Sequence, residues 1–141
     1  MVDASRILIP VKGGPTDDDA VALACQVAVQ SKAEIHAIHV IEVKRTMPLD
    51  AELHAEAERG EGFLNRAEQV ADRFKQTLQT DLLQARDVGP AIIDEVLERG
   101  IDLIVLGIGY KKRFGEFDLG KTAPYILKHA PCRVWVCRQA T

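Results

Sequence analysis

Three short runs, Arg6 to Val11 (RILIPV), Ile101 to Leu106 (IDLIVL) and Cys132 to Cys137 (CRVWVC), are apolar, rich in branched side chains, and bounded by polar or glycine-containing sequence. Runs of this length suit strands buried on both faces, which occur where helices cover both sides of a parallel sheet. The sequence between them has helical period. After the turn Lys12-Gly13-Gly14-Pro15, Thr16 offers an N-cap hydroxyl and Asp17, Asp18 and Asp19 place carboxylates near a helix's positive end. Val21, Ala24, Cys25 and Ala28 then recur on one face, predicting a helix to about Ser31.

The same alternation continues along the chain. Glu34 to Ile41 reads as a strand, residues 42–50 as a loop, and Ala51 to Leu78 as a long helix weakened at Gly60 and Gly62, each by about 1 kcal/mol relative to alanine. Asp81 to Arg86 reads as a third strand. Val88-Gly89-Pro90 opens a helix that runs through Arg99 and ends at Gly100. The strand 101–106, a short helix Thr122 to His129 and the strand 132–137 complete the series. Strands alternating with helices predict an α/β fold, an open parallel sheet with helices on both faces, formed by one domain over residues 1–141.

Composition narrows the function classes. With 141 residues, 47% hydrophobic and 28% charged, the chain has enough apolar sequence for one core. A net charge of −3 and a pI near 5.8 argue against a general nucleic-acid partner, which needs a basic surface. Without an apolar run near membrane-spanning length or a signal-peptide pattern at Met1, the expectation is a cytoplasmic protein with no membrane insertion. Cys25, Cys132 and Cys137 lack metal-ligand spacing and read as reduced, packed thiols. His36 and His39 fall on opposite faces of their strand and cannot share a metal. His54 and Glu58 share a helix face but make no site, His129 suits a helix C-terminus, and no nucleophile with a base partner stands out. No metal and no catalytic residue is implied.

Gly115 to Thr122 (GEFDLGKT) has the spacing of a phosphate-binding P-loop. Its context fails on two counts. Residues 107–114 separate the predicted strand end from Gly115, and Glu116 and Asp118 would stand beside the phosphates and repel them. The position is informative all the same, because ligands of open parallel sheets bind beyond the carboxyl ends of the strands, where the strand order reverses. The loops Lys12-Gly13-Gly14-Pro15 and Gly107-Ile108-Gly109 would face each other there. Glycine permits close backbone approach, and a helix start near Gly120, Lys121 and Thr122 favours an anion.

Strand one with its Ile-Pro-Val, the long second crossover, the strand end Asp102 to Gly107 (DLIVLG), and Ile126 to Cys132 (ILKHAPC) before the last strand together resemble the universal stress protein family over nearly the whole chain. The resemblance implies a Rossmann-like, adenine nucleotide alpha hydrolase-like domain with five strands in the order 3-2-1-4-5. It also implies a homodimer paired through the last strand, Arg133, Val134, Trp135, Val136 and Cys137, with Trp135 in either the core or the interface. ATP-binding members carry a glycine, a second glycine three residues on, and a later glycine followed by Ser or Thr. Gly107 and Gly120 match that pattern. Tyr110 stands at the second glycine, with Gly109 one residue earlier, and Lys121 stands at the hydroxyl position, with Thr122 one later. Lys12 replaces the family's acidic residue after strand one, which removes a metal ligand.

The nucleotide contacts implied are Pro10, Val11, Lys12, Gly13, Val40, Leu106, Gly107, Gly109, Tyr110, Gly120, Lys121 and Thr122, with Gly14 beside them. Two readings stay open. In one, the added cations, with Lys111, Lys112 and Arg113 nearby, suit ATP, AMP, a cyclic dinucleotide or another phosphorylated ligand of a non-catalytic regulatory protein. In the other, Tyr110 fills the space and the protein is a dimeric interaction module with a vacant pocket, working on a transporter or signalling protein. A weak nucleotide hydrolase or adenylating enzyme is the remaining class, since fold alone does not fix function.

Overall fold

The computed structural model describes residues 3–109, 112–113, 116–117 and 119–140. In chain order the elements are β1 (Arg6–Pro10), α1 (Pro15–Ser31), β2 (Glu34–Glu42), α2 (His54–Arg73), β3 (Leu78–Ala85) and α3 (Val88–Arg99). They continue with β4 (Leu103–Ile108), β5 (Lys112–Arg113), β6 (Glu116–Phe117), α4 (Thr122–His129) and β7 (Arg133–Arg138). Five strands form one parallel sheet in the order β3-β2-β1-β4-β7, which is the expected 3-2-1-4-5 order with β7 as the fifth sheet strand. The short β5 and β6 pair antiparallel with each other between β4 and α4.

Strand alternation divides the core. Ile7, Ile9, Ile35, Ala37, Leu103 and Val105 face α1 and α2, whereas Leu8, Ile38, Ile104 and Leu106 face α3 and α4. All ten are at most 5% exposed, and burying a residue of the size of leucine or isoleucine contributes about 1.5–3 kcal/mol. Trp135 packs, half-buried, on the α1 side.

Several boundaries move for identifiable reasons. Helix α1 starts at Pro15 with Gly14 as its N-cap, at φ 94°, so Thr16 lies inside the first turn, buried, instead of capping it. Helix α2 spans 54–73, shorter than predicted at both ends, because Lys75 turns left-handed at φ 56° and Leu78 enters β3. Strand β4 runs on to Ile108, which places Gly107 inside the sheet opposite Cys137. Gly60 fits a crowded site: a Cβ there would lie 2.6 Å from Leu82 Cδ1 and 2.8 Å from His39 Cδ2. Gly62, two residues on, faces open space.

Candidate functional site

Helix α1 leaves β1 toward one face of the sheet and α4 leaves β4 toward the other, so the chain diverges between neighbouring strands β1 and β4. A cavity of about 300 Å³ opens at this divergence, where the rule for open α/β sheets places a ligand. One wall is apolar, built from Ile38 and Val40 of β2, Leu106 and Ile108 of β4, and Val88 and Ile92 of α3. The rim consists of Pro10, Val11 and Lys12 at the end of β1 and Leu119, Gly120, Lys121, Thr122 and Ala123 at the start of α4.

Of the residues expected to contact a nucleotide, Pro10, Val11, Lys12, Val40, Leu106, Gly107, Gly120, Lys121 and Thr122 all line this cavity. Gly13 and Gly109 lie outside the lining. Tyr110 and Gly115 fall outside the described residues, as does Lys111. Ile38, Ile108, Val88, Ile92, Leu119, Ala123 and His39 also line it and were not anticipated. A period-2 reading from Val40 and Leu106 reaches Ile38 and Ile108. The residues from α3 and the ring of His39 carry no such local signal, because tertiary packing brings them in.

Glycine is required at one point of the rim. A Cβ on Gly107 would overlap the Thr16 carbonyl, so the first turn of α1 packs directly on the end of β4. That packing turns Asp17 inward, where it is 6% exposed. Its carboxylate accepts the backbone N–H of Lys12 at 3.1 and 3.2 Å and that of Gly13 at 2.7 Å. Burial pushes the Asp17 carboxyl above its ordinary value, against the opposing pull of those two N–H groups and the Lys12 charge. The loop after β1 therefore already has an internal acceptor for two of its N–H groups.

Below the rim, His39 Nδ1 lies 2.7 Å from the Val11 carbonyl. A carbonyl only accepts, so Nδ1 carries the proton and the ring is fixed. Phe63 packs edge-on against that ring with centroids 5.2 Å apart.

The anion-favouring end is the start of α4. Helix first turns carry N–H groups without intrahelical partners. Here Pro124 has no N–H and Tyr125 donates to the Lys121 carbonyl at 3.3 Å, so Thr122 and Ala123 carry the first-turn N–H groups that the helix itself does not use. Lys121, exposed at the N-cap, adds a positive charge beside them. Among the described residues no cluster of three His, Cys, Asp or Glu side chains is placed to hold a metal.

The strand order and this crevice define a doubly wound, Rossmann-like α/β domain. The sequence model of the universal stress protein family matches residues 4–138, and the chain belongs to that family. It is similar to the universal stress protein MJ0531 of Methanocaldococcus jannaschii, 27% identical over 140 residues that cover 95% of this chain and 82% of that protein. Among solved structures it is similar to the universal stress protein UspA from Lactobacillus plantarum, with TM-score 0.77, 24% identity, and coverage of 98% of this chain and 100% of that one. It is also similar to a universal stress protein from Archaeoglobus fulgidus in complex with dAMP, with TM-score 0.75, 15% identity, and coverage of 96% and 98%.

Proposed function

We propose that this chain is a cytoplasmic, non-catalytic regulatory protein that binds an adenine nucleotide in the crevice between β1 and β4 and acts as a homodimer paired through β7. The observation that carries the ligand reading is the presence of two chemistries in the lining of one cavity. An apolar wall of Ile38, Val40, Leu106 and Ile108 suits the faces of a purine, and Gly120, Lys121 and Thr122 at a helix start suit a phosphate. The dAMP held by the Archaeoglobus protein of the same fold supports the reading. Because Asp17 occupies the N–H groups of Lys12 and Gly13, the phosphate is assigned to the α4 end.

Titration calorimetry with AMP, ATP and adenosine tests this. Binding of AMP with loss of most affinity in Lys121→Glu, and weaker binding of adenosine than of AMP, is the expected pattern. Equal AMP affinity in the wild type and Lys121→Glu would overturn the phosphate position. No nucleotide bound at all would favour the interaction module with a vacant pocket. Nucleotide hydrolysed during the titration would move the protein into the enzyme class.

A further inference from the structure

The crevice continues past Lys121. A second hollow, of about 320 Å³, opens beyond the start of α3 and shares Val88, Lys121 and Thr122 with the first. Lys121 and Thr122 therefore stand at the junction of two hollows of nearly equal volume.

The lining of the second hollow differs from that of the first. Glu42, at the end of β2, and Asp87, just before α3, bring carboxylates to it. Arg45 pairs with Asp87 at 3.4 Å across an exposed contact and offsets part of its charge, which leaves Glu42 as the main negative charge of the lining. Tyr125 lines the same hollow, and its ring is held on two sides. Gly89 leaves room for it, since a Cβ there would lie 2.7 Å from Tyr125 Cδ1, and the His129 ring stacks at 4.2 Å with a tilt of 34°. A ring fixed in this way is a prearranged, partly apolar wall of the hollow with a polar hydroxyl.

Charge decides what enters. A phosphate chain extended from Lys121 into the second hollow would approach Glu42 and Asp87 and be repelled. A neutral group with N–H and O–H donors, such as a base amine or ribose hydroxyls, would instead form charge-assisted hydrogen bonds to those carboxylates. The order along the joined hollows is thus neutral, anionic, neutral. We propose that they form one site for a dinucleotide, its bridging phosphate at Lys121 and Thr122 and its second nucleoside in the hollow of Glu42, Asp87 and Tyr125. This assignment rests on the nucleotide reading of the first hollow.

Calorimetry with AMP, ATP, the linear dinucleotide ApA and cyclic di-AMP, on the wild type, Glu42→Lys and the milder Asp87→Asn, tests it, with circular dichroism to establish that each variant is folded. At least one dinucleotide is expected to bind about tenfold or more tighter than AMP, a difference of about 1.4 kcal/mol. Glu42→Lys should erase that surplus and strengthen ATP more than AMP, and Asp87→Asn should reduce the surplus in part. Dinucleotides that bind no tighter than AMP would overturn the second subsite and leave the mononucleotide reading standing. A surplus unchanged in both variants would likewise overturn it. No binding of any of the four ligands would overturn both readings together.

Discussion

Asp17 Oδ2 accepts the Gly13 backbone N–H at 2.7 Å, turning a helix-start carboxylate back onto the loop that precedes it. The same carboxylate takes the Lys12 N–H, so Asp17 supports the cavity rim without lining it. Asp17→Ala leaves two partly buried donors without their acceptor and should destabilise by about 1–3 kcal/mol. Asp17→Asn keeps an acceptor oxygen and should cost less.

The pH dependence of these variants has a fixed sign. Burial raises the native Asp17 pKa above the ordinary 3.8. Between those two values the native state binds a proton that the unfolded chain does not, so the contribution of Asp17 to stability falls as pH rises through that window and is flat above it. Urea unfolding in steps from about pH 4 to about pH 7 should show the wild type gaining on Asp17→Asn as pH falls through the window. A constant difference across the series would refute the burial argument.

Two glycines on α2 should respond in opposite directions. Gly60→Ala forces a Cβ against Leu82 and His39 and should destabilise by about 1–3 kcal/mol despite the better helix propensity of alanine. Gly62→Ala meets nothing within 4 Å and should stabilise by about 0.5–1 kcal/mol. Thermal unfolding of the pair measures the contrast, and shifts of the same sign would contradict the packing of α2 on β2 and β3.

These glycines also mark how far the sequence could be read. Period and apolar runs located every strand of the main sheet and every helix, because burial on both faces leaves a local spelling. The α3 stop at Gly100 was visible as well, since glycine takes φ 63° there without strain. The end of α2 was hidden, because a lysine supplies the left-handed turn and Leu53, with no capping side chain, precedes its start. At the site, the glycine and lysine positions could be named from spacing. Val88 and Ile92 could not, since the packing of α3 brings them in, and neither could His39, a β2 residue whose ring is set by the Val11 carbonyl and Phe63. The inward turn of Asp17 was equally hidden, because it depends on Gly107 letting α1 approach β4.

Arg99 joins three elements through three separate nitrogens. Nε donates to Glu95 at 2.8 Å, Nη2 to Asp81 at 2.6 Å and Nη1 to His36 Nδ1 at 3.2 Å. A lysine keeps the charge but cannot reproduce this fork. Arg99→Ala should cost about 1–3 kcal/mol, because Glu95 at 16% side-chain exposure and the buried His36 lose their partner. Arg99→Lys should recover less than half of that loss. Full recovery by lysine, read from urea midpoints, would show that net charge rather than geometry holds α3 to β2 and β3.

The proposed dimer makes a demand on β7. This strand has β4 on one side only, so its outer edge carries backbone groups that a second copy can pair. Val136 is 39% exposed on it. An apolar side chain left on an open edge favours association, whereas a lysine there blunts edge-to-edge pairing. Sedimentation across a concentration series should show a dimer for the wild type and dissociation at least about tenfold easier for Val136→Lys, a change of about 1.4 kcal/mol. Trp135 fluorescence should stay native-like in that variant, since its ring packs on the α1 side of the core. A wild-type protein that sediments as a monomer at all concentrations would remove β7 pairing from the proposal while leaving the crevice and its ligand untouched.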